Sequence, residues 1–407
     1  MAEVVVVGGG LAGLSAAFEA ARRGHFVTVL EESGTIGGRG TSTEHKGRPL
    51  NSGPHLLFRG GPLHVLITKV SKLAVRGRRL NSQHFFRRDG GQWKQLAISS
   101  SAIRGAKVSA QSKLTLLKLR RSLKKGARKS PDATFESWIN SQPSDVRDEL
   151  RVWGRMSTWL GPEKGGSMEF HASRALHALW NRGMLDSDLG WADIVGRILA
   201  GLDRLGVELR SQAKISKITL NKSREVTGVI IEGGRIIKAD FVILALPEKQ
   251  ATKILEESKI KSPPGERTPL DSTLLDLVLE GRFLRDGMMY DQQNDVFFLT
   301  RFDDDSQKFS TIVSAMALGD QNTRLDRIEK SLDETASGWR EQVTLRRQTN
   351  NITLSSALPN CSRPSVDHFS QNHLLLAGDW IDSEFWLSDG AVDTGLRAGA
   401  MIQGRSA

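Results

Sequence analysis

The stretch Glu3-Val4-Val5-Val6-Val7-Gly8-Gly9-Gly10-Leu11-Ala12-Gly13, continued by an alanine-rich run to Arg23 and by His25-Phe26-Val27-Thr28-Val29-Leu30-Glu31, decides the fold. The unbroken β-branched run at 4–7 fits a strand buried on both faces of a parallel sheet. Leu14 to Arg23 favours a helix that stops at Gly24, and His25 to Leu30 reads as a second strand. With G-x-G-x-x-G at the first turn and an acid about 20 residues beyond it, this is a βαβ unit of the dinucleotide-binding type. Gly8 permits the tight turn, Gly10 lets the backbone approach a pyrophosphate, and Gly13 lets the helix pack close to the strand. Leu11 and Ala12 stand at the helix N-terminus, whose N–H groups and dipole attract phosphate. Glu31 can accept hydrogen bonds from both ribose hydroxyls, and its charge disfavours the 2′-phosphate of NADP.

Outward from this unit, Phe85 to Trp93 reads as a hairpin around Asp89-Gly90-Gly91. Residues 134–185 read as helical, with Trp138, Trp153, Trp159 and Trp180 as core. Ile194, Ile198, Leu202 and Leu205 recur at helical spacing before Gly206. Strands follow at Val207–Arg210, Ile215–Ile218, Val226–Ile231 and Phe241–Pro247, then several short strand-like runs within 271–318 and a helix from Leu325 to Val343. Near the C-terminus, Leu374–Ala377 is a buried strand and Gly390–Gln403 a small-residue helix that Asp389 is placed to cap.

The 407 residues carry 57 Lys+Arg against 46 Asp+Glu, a net charge of +11. An apolar fraction of 39% excludes collagen-like and disordered classes. The single cysteine, Cys361, excludes an internal disulfide and fits a reducing, cytoplasmic setting. The N-terminus resembles no signal peptide, and no apolar run is long enough for a membrane-spanning helix. Ten of the basic residues lie between Arg104 and Lys129 with no acid among them, so the rest of the chain sums to about +1. Within that block Leu116, Leu119 and Leu123 share one helical face while Lys118, Arg120, Arg121, Lys124 and Lys125 crowd the others. This pattern fits a helix lying in a membrane interface, and equally a solvated basic face with its leucines in a core. The block holds no aromatic residue for base stacking, which argues against nucleic acid as partner.

Four stretches together resemble the superfamily of flavin-dependent amine oxidases and phytoene desaturases: Val4–Glu31, Gly37-Gly38-Arg39, Gly206–Pro247, and Ala377-Gly378-Asp379-Trp380 through Asp389-Gly390-Ala391-Val392-Asp393-Thr394-Gly395. The resemblance implies non-covalent FAD, since Cys361 lies 16 residues before Ala377, outside the spacing of the family's covalent link. It also implies roles for individual residues. Gly38 and Arg39 would lie near flavin and pyrophosphate, Ile215 would meet the adenine through its backbone, and Gly378 and Asp379 would meet the ribityl and phosphate region. The helix end around Ala391 would face the flavin pyrimidine, where its dipole favours hydride acceptance. Asn51-Ser52-Gly53-Pro54-His55 is similar to the family's D-x-G-x-H, with Asn51 in place of the acid; Gly53 would pass close to the isoalloxazine, and His55 is the candidate catalytic group.

Amine oxidases of the superfamily place an aromatic residue two positions before the acid of the last motif. Here that position is Leu387, and Tyr290 is the sole tyrosine. The resemblance therefore implies hydride transfer from a hydrophobic, isoprenoid (carotenoid- or squalene-like) small molecule to flavin N5. Its alternatives are a flavin amine oxidase, a protoporphyrinogen-oxidase-like enzyme, and a non-catalytic FAD-binding protein. No metal site is expected, because His171 and His177 fall on different faces of a helix. The expected architecture is α/β: a doubly wound, Rossmann-like FAD-binding domain from residues 1–75, 186–262 and 364–407, with an inserted α+β substrate domain from 76–185 and 263–363. The active site is expected over the flavin face between the two. Substrate would enter from a membrane surface met by residues 104–129.

Overall fold

The computed structural model describes residues 1–45, 48–51, 53, 55–72, 74–126, 134–160, 168–305 and 308–403. Its α-helices in chain order are α1 (Leu11–Arg22), α2 (Pro62–Ser71), α3 (Ser100–Gly105), α4 (Ala110–Lys125), α5 (Phe135–Asn140) and α6 (Arg147–Thr158). They continue as α7 (Met168–Asn181), α8 (Gly190–Arg204), α9 (Glu248–Glu257), α10 (Arg324–Thr335) and α11 (Leu387–Met401). The chain separates into two compact units: residues 1–77, 187–269 and 355–407 form one, and residues 78–186 and 270–354 the other. The junctions fall next to long strands, which start at Leu270 and end at Ser355.

The first unit is built on a five-stranded parallel sheet in the order 208–210, 26–30, 3–7, 241–244, 374–376. The strand at 3–7 lies in the middle, so Val4 pairs with Val27 on one side and Phe241 on the other. Val4 to Val7 are all buried, as a strand flanked on both edges and covered on both faces must be. Carboxyl ends of such strands form the crevice in which doubly wound folds bind their ligands. An antiparallel sheet of 215–220, 226–231 and 236–238 adjoins them in sequence, and Ser258, just past α9, accepts the Ile218 N–H through its hydroxyl at 2.8 Å.

The second unit centres on a seven-stranded sheet in the order 343–355, 270–280, 308–318, 296–305, 287–291, 85–89, 92–95. Leu275, Leu277, Met289, Phe298, Val313 and Ala315 point from one face into a core closed by Ile328 and Leu332 of α10 and by Trp339. The short runs expected within 271–318 are long strands. Leu274, Leu275 and Leu277 pair in unbroken register with Met316, Ala315 and Val313. The helix expected to reach Val343 stops at Thr335, and Val343–Ser355 is a strand. That segment, Arg346-Arg347-Gln348-Thr349-Asn350-Asn351 at its centre, lies at the sheet edge, where charged residues are common and apolar alternation is weak. The hairpin at Phe85–Gln95 is present, and Trp138, Trp153 and Trp159 are buried. Residues 161–167, inside the stretch expected to be helical, lie outside the described residues.

The basic block forms α4, whose first turn is capped by the Ser109 hydroxyl accepting the Ser112 N–H at 3.1 Å. Leu116 and Leu123 are fully buried, and α4 packs on α7, where the His177 ring meets the Leu123 carbonyl at 2.9 Å. This corrects the interfacial-helix expectation in one respect: Leu116 and Leu123 fill protein core and are not available to a bilayer, while Leu119 is half-buried. Arg120 also turns inward, donating from Nε to the Ile98 carbonyl at 2.7 Å. Arg104, Lys107, Lys118, Arg121, Lys124 and Lys125 are exposed; Arg128 and Lys129 lie outside the described residues. Among the described residues no helix is long and apolar enough to cross a membrane.

Candidate cofactor site

The glycine loop shows which of its members serve the fold and which leave room for something else. Gly8 has φ +108°, and a Cβ there would come within 2.5 Å of the Ala245 carbonyl oxygen. A Cβ on Gly13 would sit 1.9 Å from the Gly8 carbonyl oxygen. Both are glycine for internal reasons. Gly10 differs: its φ of −79° suits any residue, and a Cβ there would meet nothing within 4 Å. Space at Gly10 is therefore kept open at the N-terminus of α1. Helix bonding begins with Leu14 N–H to the Gly10 carbonyl at 2.9 Å, so the N–H groups of Leu11, Ala12 and Gly13 precede the first intrahelical bond. No side chain caps this end, and no acid lies in its first turn. Its free N–H groups, open space and lack of acid suit an anion.

Glu31 follows the strand 26–30 directly. Its Oε2 accepts the Gly9 N–H at 2.7 Å and its Oε1 the Ser33 N–H at 2.9 Å. A carboxylate has about four acceptor positions, so two bonds orient it and others remain for ribose hydroxyls. The Ala213 N–H donates to the Glu31 carbonyl at 2.8 Å, which brings the start of the next strand, Ile215, to the same end of the sheet. Gly38 (φ +56°) packs on the loop, where its Cβ would lie 3.1 Å from the Gly10 Cα, and the Gly37 N–H donates to the Gly9 carbonyl at 2.9 Å. Arg39 is thereby carried to the glycine loop.

From the opposite end of the chain, the turn after strand 374–376 supplies Gly378 and Asp379. Asp379 is buried; its Oδ2 accepts the Ser356 N–H at 2.9 Å and lies 2.8 Å from the Arg39 guanidinium. The Gly378 N–H donates to the Thr394 hydroxyl at 3.0 Å, tying the turn to α11. The closeness of α11 to α1 depends on two glycines: a Cβ on Gly395 would lie 2.2 Å from the Ala12 carbonyl oxygen, and one on Gly399 2.4 Å from that of Ala16. Position 395 beside 12 and 399 beside 16 means that the helices run parallel. Ala391, one turn before Gly395, thus stands about 6 Å beyond Ala12 in the direction of the glycine loop. Both helix N-termini therefore open toward the same end of the unit.

Asp389 was expected to cap α11. The helix instead starts at Leu387, three residues before the expected Gly390, with Trp386 at its N-cap and no side-chain cap. Asp389 sits within the first turn and turns away from it: its Oδ1 accepts the N–H of Leu63, in the first turn of α2, at 2.9 Å. Burial pushes its carboxyl up to about 7, with the charge of Asp393 adding to the rise and the Leu63 bond opposing it. Leu387 has φ +55°, a conformation that costs a non-glycine residue energy. Asn51 has the matching role at α8. Its Oδ1 accepts the Trp191 N–H at 2.8 Å and the Ser42 hydroxyl at 2.7 Å, so the amide takes over the capping expected of the missing acid. Gly53 has φ +99° and is buried; His55 is half-buried just before the strand Leu56–Phe58; Ser52 and Pro54 lie outside the described residues. The sequence reading missed the Ser356 N–H on Asp379 and the Asp389–Leu63 bond. Gly61-Pro62, a glycine before a helix-starting proline with no capping side chain of its own, was the available signal for the latter.

A family model described as flavin containing amine oxidoreductase matches residues 11–273, more than half of the chain. The chain belongs to the flavin-containing amine oxidoreductase family. Among curated proteins it is 25% identical over 274 residues to phytoene desaturase of Cercospora nicotianae, covering 59% of this chain and 44% of that protein. The match thus spans less than half the length of that relative. Among solved structures, an oxidoreductase from Methanosarcina mazei superposes with TM-score 0.76 at 18% identity, covering 98% of this chain and 100% of that one. Cyclohexylamine oxidase from Brevibacterium oxydans superposes with TM-score 0.68 at 16% identity, covering 98% of each. At these identities the structures establish the shared fold.

Membership of this family implies FAD as the cofactor. The residues fit the cofactor: an uncapped helix N-terminus with open space at Gly10 for the pyrophosphate, an oriented carboxylate at Glu31 for the ribose, and the Arg39–Asp379 pair at the same loop.

Proposed function

We propose that this oxidoreductase removes hydride from a hydrophobic, isoprenoid-like substrate. Bound FAD supplies the two-electron acceptor at N5. The chain's own part is to bind and orient the cofactor through Gly10–Gly13, Glu31, Arg39 and Asp379, and to present an apolar, uncharged surface to the substrate. Hydride transfer needs positioning more than a strong base, so His55 is assigned a place beside the cofactor and no proton-transfer step.

The observation that carries the reading is the state of the aromatic residues an amine would require. Position 387 is leucine. Its neighbour Trp386 already has the Arg363 guanidinium 5.3 Å from its ring centroid, and a second cation beside it is repelled. Trp380 is buried and donates its indole N–H to the Leu246 carbonyl at 2.9 Å. Tyr290 is buried in the other unit, its hydroxyl on Asp295 at 2.8 Å and its ring stacked on Phe297. The 25% identity to a phytoene desaturase adds support. Anaerobic bleaching of the bound flavin by polyisoprenoid, amine and porphyrinogen panels tests the proposal. Bleaching by polyisoprenoids alone is expected; bleaching by amines in preference overturns it.

The same reading includes contact with an anionic membrane surface through Lys118, Arg121, Lys124 and Lys125 of α4. With Leu116 and Leu123 in the core, that contact is electrostatic.

A further inference from the structure

The carboxyl of Asp389 is carried by the helix whose N-terminus opens toward the glycine-loop end of its unit, yet it bonds to a different helix. Its Oδ1 holds the Leu63 N–H, and its Oδ2 occupies the place a side chain at position 61 would need. A Cβ on Gly61 would come within 2.3 Å of that oxygen. Gly61 therefore excludes every other residue in favour of this one carboxyl. A cap from α2's own sequence would hold that helix equally well; one borrowed from α11 links the two N-termini.

We propose that Asp389 is a positioning residue which, besides joining α11 to α2, takes up a proton when the flavin is reduced. The proposal rests on the FAD reading above. Hydride acceptance adds one negative charge near the N-terminus of α11. A carboxylate in that helix's first turn opposes the charge and cancels part of the favourable dipole. Binding one proton from solvent, with an O–H bond formed at the Asp389 carboxyl, restores the balance; on reoxidation the proton returns to solvent. Linkage makes the effect mutual: reduction raises the proton affinity of Asp389, and protonation of Asp389 favours reduction.

The surroundings suit a group that changes charge. Burial holds the carboxyl near neutrality, at about 7. Of the charged groups on α11, Asp393 acts on it directly and is itself bonded by the Ser383 hydroxyl at 2.8 Å and paired with Arg397 at 3.5 Å. Around α2 the titratable or charged side chains are Arg59, His64 and Lys69, and the turn packed on α11 carries Asp379, which is committed to Arg39. The hydrogen bond that Asp389 accepts from Leu63 comes from a neutral N–H, which a protonated carboxyl can still accept at its carbonyl oxygen.

The test is the flavin midpoint potential of FAD-loaded wild-type, Asp389→Asn and Asp393→Asn proteins, followed from about pH 5 to about pH 9. In the wild type a steeper segment is expected above neutrality, one extra proton per two electrons, a tenfold effect per pH unit or about 30 mV for this couple. Asp389→Asn, which keeps the acceptor for Leu63, is expected to lose that segment. Asp393→Asn removes the neighbouring like charge, so the segment is expected to begin at lower pH. Asp389→Asn and wild-type curves that run parallel throughout overturn the proposal, because a merely structural carboxyl displaces the curve without altering its slope. Should Asp389→Asn not fold, an Asp393→Asn segment beginning at the wild-type pH overturns it. A wild-type chain that takes up no FAD overturns the cofactor reading itself, an outcome distinct from either.

Discussion

The guanidinium of Arg39 lies 2.8 Å from the carboxylate of Asp379, joining the segment that follows the first βαβ unit to the turn after the strand 374–376. Arg39 is about half exposed and Asp379 buried, so the pair costs Asp379 more than Arg39 to lose. With Ser356 as its second donor, Asp379 fixes where the arginine's remaining N–H groups point. Asp379→Asn is expected to fold and to hold FAD roughly tenfold less tightly, the consequence of about 1–2 kcal/mol from one charge-assisted contact. Equilibrium dialysis of the flavin checks it.

Gly10 and Gly13 separate ligand space from packing space. Gly10→Ala places a methyl where no protein atom lies, so unfolding stability is expected to fall by no more than about 1 kcal/mol, the difference between glycine and alanine at an N-cap. Affinity for FAD is expected to drop at least about tenfold, because the methyl enters the phosphate approach. Gly13→Ala drives a methyl against the Gly8 carbonyl and is expected to cost about 3 kcal/mol or more in the fold itself. Denaturant melts beside flavin titrations distinguish the two outcomes.

The nucleotide-binding half of the first unit was legible because local chemistry dictates it: Gly13 and Glu31 are required by contacts within the first 33 residues, and Gly8 by its own φ of +108° as well as by the distant Ala245 carbonyl. Gly378 and Asp379 were legible by resemblance. What stayed hidden were bonds between distant segments. Nothing near Asp389 in sequence announces Leu63, and the cap it appeared to offer its own helix is of the same residue type as the one it gives to α2. Asn51 stands where the resemblance has an acid, and its amide oxygen accepts the Trp191 N–H as a carboxylate would. The strand Val343–Ser355 was missed because an edge position removes the alternation that reveals inner strands.

Asp389 gives stability a definite pH dependence. Its carboxyl is raised from 3.8 to about 7 in the folded chain, so its contribution is fully present below the unfolded value near pH 4 and is lost as pH rises through 7. The size is on the order of 4 kcal/mol for a shift of that extent. Wild-type stability is therefore expected to decline from about pH 4 to about pH 7, and Asp389→Asn to flatten that portion of the curve. Chemical denaturation at fixed salt across that range is the measurement; an unchanged slope in the variant contradicts the assignment.

The exposed face and the buried face of α4 make opposite predictions. Lys118, Arg121 and Lys125 are exposed, so reversing them to glutamate is expected to leave folding intact and to abolish salt-sensitive binding to vesicles containing anionic lipid. Leu116 is fully buried against the helices of its unit, so Leu116→Ala is expected to cost about 2–5 kcal/mol of stability while binding by the folded fraction persists. If the leucine stripe were the membrane-facing surface, the pattern would invert: Leu116→Ala would weaken vesicle binding with little effect on the melt. Co-sedimentation with neutral and anionic vesicles at low and high salt, run beside thermal melts of both variants, tells the two apart.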